Sequence, residues 1–556
     1  DFCLSRGLGD VYKRQILNIT SNGGHFDVYD GIDTFLVTES MVLHHSAKLS
    51  TDLPSIEKLH FDAKQDIANS KVAQTGKPYH SNVPTESAYL WRAPLFSAIA
   101  VPFYYAAMIF SVSPIVVVAL FTNSLIVSLI SVVVFCFSLK IYGSRKIAFI
   151  SSLIIGVCSF AWSYVGTLEA HTLQALCIIT SAFFIYLSLG VDRSRAYDGT
   201  SINNTDNKTQ IYLYAGIGGV FLGLSVFAHP TSIIVLPGFV AYAIFSMWRN
   251  RKKNLLAFFI ALGILLAFVG LVNYWRFGSF TEFGYGGYAA LSLHNGWRGL
   301  LGLLMSPGKG ILFYFPIIIL LPVALVYLYR ENWRLFFLAG YVIIAFWLYW
   351  GTLHYLEPQA WTGALGWGPR YIIPILPFVT IALGALLTHL KKRVVLSVSI
   401  AILCVVSFCV SLLGILVWYQ YGLGYGWERE QLWRFDANYT KLKVNSYDAM
   451  AWLPQYSPII LHMNVLRSDY LSNGILAHFN SMSKAHRAYD WASNGLAPCS
   501  YDIYIYCKFG ITPILLLSGI ITLITVFIMM EISDKFNDST KSLALHLKNR
   551  IKLKRI

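Results

Sequence analysis

His25–Glu39 reads HFDVYDGIDTFLVTE. Four carboxylates, Asp27, Asp30, Asp33 and Glu39, fall within this one short stretch. Nearly everything after it is apolar. The chain has 556 residues, 56% hydrophobic and 13% charged, with a mean hydropathy of +0.55. A soluble domain carries about 25% charged residues. Runs of about 20 apolar residues recur, the length that crosses a bilayer as a helix. The acids are thus the polar prelude to an all-α polytopic membrane protein.

Working outward, Asp33–Leu49 has helical character. Phe35, Leu36, Val42 and Leu43 share one face, and Thr38 and Glu39 lie on another. That pattern predicts a helix lying on the membrane surface. Residues 94–110 are apolar but interrupted by Pro94 and Pro102, which predicts an interfacial or re-entrant segment, with a short span as the alternative. In the other direction, residues 1–15 show no initiator Met and no signal-peptide pattern. They read as a non-native, adapter-derived segment and stay outside the fold reasoning.

Eleven spans are expected, near 114–139, 147–164, 170–190, 211–228, 231–248, 255–275, 311–329, 335–351, 371–390, 394–419 and 511–530. Lys and Arg set their orientation. Lys140, Arg145 and Lys146 share one face with Arg193, Arg195, Lys208, Arg249–Lys253, Arg330, Arg334, Lys391–Arg393 and the tail. That face is expected to be cytoplasmic. It places 16–113 outside as a first loop with interfacial helices. The bundle then runs over 114–419 with outer loops 276–310 and 352–370. An external segment 420–510, a last span 511–530 and a basic cytoplasmic tail 531–556 complete the chain. With residue 16 outside and the C-terminus inside, one span is expected upstream, making about twelve.

The net charge of +15 belongs to this asymmetry, so no nucleic-acid partner is expected. Cys136, Cys158, Cys177, Cys404 and Cys409 fall in spans and read as packing residues. Cys499 and Cys507 share one outer segment, where a disulfide is open to them. Sequons at Asn18 and Asn438 fall outside, and those at Asn203 and Asn207 fall inside.

Several groups can do chemistry. Carboxylates beside a bilayer suit proton abstraction from a hydroxyl, or metal binding. Asp33 also reads as a plain helix cap. Glu169 and His171 sit at the mouth between two spans, in YVGTLEAHTLQ (164–174), where polar groups are costly. The alternative for both is interfacial side chains reaching water. Ser306–Gly310, SPGKG, offers a turn with exposed amides and the Lys309 ammonium, suited to a phosphate, or a glycine turn with a snorkelling lysine. Arg370 stands on the outer side against the charge asymmetry, where its fork suits a lipid-linked phosphate; structural anchoring is the alternative. Arg92 is placed similarly, ahead of 94–110.

These pieces together resemble the GT-C superfamily of polyprenyl-phosphate-sugar-dependent glycosyltransferases, in the protein mannosyltransferase-like and lipid-A-sugar-transferase-like branch. The resemblance rests on acids opening the first outer loop and on NYWRFGSFTEFGYG (273–286), LLMSPGKGILFY (303–314) and GWGPRYIIPILP (366–377). The family's Asp-Glu pair is replaced here by Asp30-Gly-Ile-Asp33. The resemblance implies inverting transfer of a sugar from a polyprenyl- or dolichyl-phosphate donor to a hydroxyl acceptor at the outer face of the plasma membrane. Asp30 or Asp33 would be the base. Arg370 and Lys309 would hold the leaving phosphate, and Asp27, Glu39, Arg92, Glu169 and His171 would position substrates. No cofactor is implied, although the acids leave a divalent metal possible. The competing expectations are a polytopic transporter or lipid flippase, and a non-catalytic scaffold.

Overall fold

The computed structural model describes residues 15, 18–19, 29–59, 87–90, 93–190, 208–248, 251–284, 289–291, 296–355, 360–363, 366–389, 394–432 and 446–467. Asp27, Arg92, Asn438, the 511–530 span, the basic tail, Cys499 and Cys507 lie outside them, as do the loops carrying Arg193, Arg249 and Lys391.

The described residues form a multi-pass helical bundle. Among the described residues, eight helices are long and apolar enough to cross a membrane: Pro114–Tyr142, Ala170–Leu187, Gln210–Ala228, Pro230–Met247, Lys252–Phe277, Trp333–Thr352, Arg370–Leu387 and Val394–Leu416. Each matches an expected span. Two other expected spans are broken. The run at 147–164 holds a helix only over Arg145–Val157, about 20 Å at 1.5 Å per residue, followed by a buried turn through Trp162–Tyr164. The run at 311–329 breaks into Ile311–Tyr314, a 3-10 turn Pro316–Leu320 and a helix Leu321–Glu331. Pro316 and Pro322 lack the donors a continuous helix needs there. Hydropathy alone does not register either break.

Among the described residues, three helices precede the span that starts at Pro114. Helix α1 is Tyr29–Leu43, α2 is the single turn Ser55–Leu59, and α3 is Leu95–Ile109 with Pro102 inside it. The surface-helix expectation for Asp33–Leu49 is corrected here: α1 starts four residues earlier, and residues 31–40 are all buried. Asp33 therefore lies in the second turn and is no cap. Helix α1 packs on α3, with Ser97 Oγ donating to Thr34 O at 2.9 Å and Phe35 against Tyr104. A four-stranded contribution comes as two short antiparallel pairs, Leu49–Ser50 with Ser87–Ala88, and Ala289–Leu291 with Leu353–Tyr355.

Helix α4 (Pro114–Tyr142) begins on a proline and ends at Gly143, whose φ of 65° stops it. Asn18 lies against its middle, donating to Ser124 O at 3.3 Å and to Ser128 Oγ at 2.9 Å. These partners sit ten to fourteen residues into a 29-residue helix. Asn18 is 3% exposed, so its sequon, expected in the outer segment, is not presented for glycosylation in the folded chain.

Of the apolar cores among the described residues, two flank the site. The larger spans the bundle; the smaller joins α1, α3 and the start of α4. Helix α5, Ala170–Leu187, runs between them, giving Leu173 and Cys177 to the small core and Ala175 and Ile178 to the large one. Among the described residues all five cysteines are free thiols.

Candidate functional site

The site forms where helix ends meet. Glu169 is the N-cap of α5: its Oε1 accepts from the His171 amide at 3.3 Å, satisfying a donor that the helix start leaves open. The same carboxylate has a second partner. Its Oε2 lies 3.3 Å from Nη1 of Arg370, the first residue of the span Arg370–Leu387. Arg370 Nη2 reaches Asp30 Oδ2 in the first turn of α1 at 3.1 Å. One guanidinium therefore joins α1, α5 and the 370–387 span.

Burial grades this triad. The side chains of Glu169 and Arg370 are 4% and 7% exposed, whereas that of Asp30 is 31% exposed. Arg370 Nε makes no hydrogen bond among the described residues. It faces Gly363, whose φ is 71° and where a Cβ would sit 3.1 Å from Arg370 Cγ. Glycine there provides the left-handed backbone and the room for the guanidinium.

The loop preceding Arg370 is tied from beneath. Lys309 Nζ donates to Gly366 O at 2.7 Å and approaches Gly368 O at 3.5 Å. Tyr164 OH donates to the carbonyl between them, Trp367 O, at 2.7 Å. Lys309 is 3% exposed. Burial first, and the neighbouring Arg370 charge second, hold its ammonium well below the usual lysine range.

This corrects the reading of Ser306–Gly310 as a phosphate cradle. Its amides are used internally: Lys309 N donates to Ser306 Oγ at 3.1 Å, Gly310 N to Ser306 O at 2.7 Å, and Gly308 N to Ala451 O at 3.1 Å. Gly308 permits a tight approach, since a Cβ there would stand 1.9 Å from Met450 O. The segment Ser446–Trp452 is fixed by Asp448, which is 3% exposed and bonded to Arg298 at 2.8 Å.

Glu39 stands apart in a separate knot. Its Oε1 accepts from Tyr104 OH at 2.9 Å and from Ser55 Oγ at 2.7 Å, and its Oε2 accepts from Ser55 N at 3.2 Å. These bonds fasten α1 to α2 and α3. Asp33 is 5% exposed, one turn along α1 from Asp30.

Beyond Glu169 the polar network continues. His171 Nε2 lies 3.9 Å from Glu169 Oε1, and His171 Nδ1 lies 2.9 Å from Gln174 Oε1. Gln174 Nε2 donates to Thr231 Oγ1 and Ser232 Oγ at 3.0 and 2.9 Å. Aromatic rings wall this network. Trp350 stacks on Tyr371 at 3.9 Å, and His171 packs against Tyr371, Trp350 and His229 at 5.2, 5.5 and 4.5 Å. Among the described residues no group of three His, Cys, Asp or Glu side chains converges as metal ligands.

Of the expected site residues, the structure brings together Asp30, Glu169, His171, Lys309 and Arg370. Sequence reasoning missed Gln174, His229, Thr231, Trp350 and Tyr371. Gln174 carried a signal, because it follows His171 by three residues on one helix face. His229 precedes a proline at a helix start and had none beyond that.

Fold and site define a polytopic membrane protein with a buried, charged site at one end of its bundle. No known family profile matches the sequence, and no curated relative does. Among solved structures, the chain is similar to ArnT from Cupriavidus metallidurans in the apo state, with 12% identity and a TM-score of 0.41 over 86% of this chain and 73% of that one. ArnT bound to undecaprenyl phosphate gives 12% identity and a TM-score of 0.38, over 85% and 84%. The apo oligosaccharyltransferase of Archaeoglobus fulgidus gives 14% identity and a TM-score of 0.40, over 78% and 60%. Likenesses this low assign nothing by themselves.

Proposed function

We propose that this chain is a membrane glycosyltransferase that moves a sugar from a polyprenyl-phosphate-linked donor to a hydroxyl acceptor, with inversion. The carrying observation is the Asp30–Arg370–Glu169 triad at one end of an apolar bundle. A buried guanidinium with a fork geometry suits a lipid-linked phosphate. A partly exposed carboxylate beside it suits proton abstraction from an incoming hydroxyl.

In this reading the lipid chain stays in the bilayer and its phosphate approaches Arg370. The phosphate takes over the Asp30 side of the guanidinium, while Glu169 keeps the other side in place. Asp30, released from its ion pair, accepts the acceptor's proton as the new glycosidic bond forms. The bond from the sugar's anomeric carbon to the phosphate oxygen breaks, and Arg370 stabilises the charge that grows on the phosphate. The accessibility of Asp30 favours it over Asp33 as the base. Lys309 acts from below, holding the backbone that presents Arg370. His171 lines the substrate side, and Glu39 has a structural part. The guanidinium supplies the positive charge, so the proposed reaction runs without a cofactor. The Lys and Arg distribution of the sequence puts this end of the bundle outside.

The test is sugar transfer in membranes from a panel of polyprenyl-phosphate sugars, with Asp30→Asn and Asp33→Asn alongside. Transfer abolished by Asp30→Asn at unchanged protein level supports the reading. No transfer from any donor by folded protein would move the assignment to the transporter or flippase, tested by substrate flux.

A further inference from the structure

The hydrogen-bond directions around Gln174 are fixed by groups with only one option. Ser232 Oγ donates to Ser225 O at 2.7 Å, so it accepts from Gln174 and faces the amide nitrogen. The amide oxygen therefore faces His171 Nδ1, and only a protonated Nδ1 can satisfy it. In the neutral ring the lone pair is then on Nε2. On the other side, the backbone N–H of Thr231 donates to His229 Nδ1 at 3.3 Å, which makes that nitrogen an acceptor. Thr231 Oγ1 accepts from Gln174 and lies 2.7 Å from the same Nδ1, to which its hydroxyl donates. Two histidines, 4.5 Å apart, are thus held in opposite tautomers, His171 by the Gln174 amide and His229 by Thr231.

The consequence lies at His171. In that tautomer Nε2 carries the lone pair, and it lies 3.9 Å from Glu169 Oε1, beyond hydrogen-bond range. Glu169 cannot turn away, because Oε1 is held by the His171 amide and Oε2 by Arg370. Two fixed acceptors side by side complement a hydroxyl donor. We infer that Gln174 is a positioning residue that sets the His171 tautomer, so that His171 Nε2 and Glu169 Oε1 form a binding subsite for a hydroxyl of the transferred sugar. The inference rests on the proposed sugar transfer for its ligand, but the tautomers themselves do not.

The experiment is nitrogen-15 NMR of histidine-labelled protein in lipid, with the His171 signals assigned by their loss in His171→Asn. The expected spectrum shows His171 protonated at Nδ1 and bare at Nε2. Gln174→Leu should turn that ring into a mixture of the two tautomers. In transfer assays Gln174→Leu should raise KM about tenfold, the loss of one hydrogen bond, with a smaller effect on kcat. A wild-type His171 protonated at Nε2, or a Gln174→Leu protein with an unchanged ring, overturns the inference whether or not any variant folds poorly. Correct tautomers in a protein that transfers no sugar would instead overturn the functional reading alone.

Discussion

Arg370 and Glu169 lie 201 residues apart in the chain and meet at 3.3 Å, both under a tenth exposed. Neither charge is tolerable there alone. Arg370→Met would leave Glu169 buried without its cation, at a cost of about 3–5 kcal/mol. Thermal unfolding in detergent should register that loss, and transfer should vanish. Arg370→Lys should recover part of the stability and little of the transfer, because an ammonium cannot bridge two carboxylates in a fork.

Asp30 and Asp33 should separate cleanly. Asp30→Asn removes a partly exposed carboxylate and should lower kcat about 10²–10⁴-fold with little change in unfolding temperature. Asp33→Asn acts on a buried position and should be felt in stability before activity. Equal kcat losses at matched stability would reopen the choice of base.

Lys309 links folding to pH. Its folded pKa is depressed, chiefly by burial, so the folded state resists the proton that the unfolded state accepts. Its contribution to stability is fully present above the unfolded lysine value of about 10.4 and is lost as pH falls through the folded value. Unfolding free energy should therefore decline as pH drops from about 10.4 toward the folded value, and level off below it. Lys309→Met should flatten the decline. The Tyr419 ring lies beside the ammonium but is not among the causes of the shift, so Tyr419→Phe should leave the slope in place.

The Glu39 knot predicts a structural effect without a kinetic one. Tyr104→Phe deletes one of the hydrogen bonds to a buried carboxylate, at about 1.5–3 kcal/mol. KM and kcat at a permissive temperature should not move. A changed KM would return Glu39 to the substrate site.

The long apolar runs were legible because composition alone sets them: every span from 170 to 277 appears where hydropathy puts it. The breaks at Val157 and Phe315 were not, since the residues beyond them stay apolar and only backbone hydrogen bonding registers the change. Helix α1 misled for a different reason. Its apolar stripe suggested a helix half in water, but the Glu39 and Thr38 side chains find partners inside the protein, so the polar face is buried too. Among site residues, Glu169, His171 and Arg370 stood out as polar groups at span ends. Gln174 and His229 did not, because their meaning lies in bond direction, which emerges only when separate helices meet.

Three successive carbonyls, those of Gly366, Trp367 and Gly368, are gripped by Lys309 and Tyr164 from two different parts of the chain. Such a backbone behaves as a rail rather than a flap. In the proposed reaction, a headgroup reaching Arg370 then needs no swing of these three residues. Asp30 at the rim turns aside instead, which would make occupancy of the site an exchange of one anion for another.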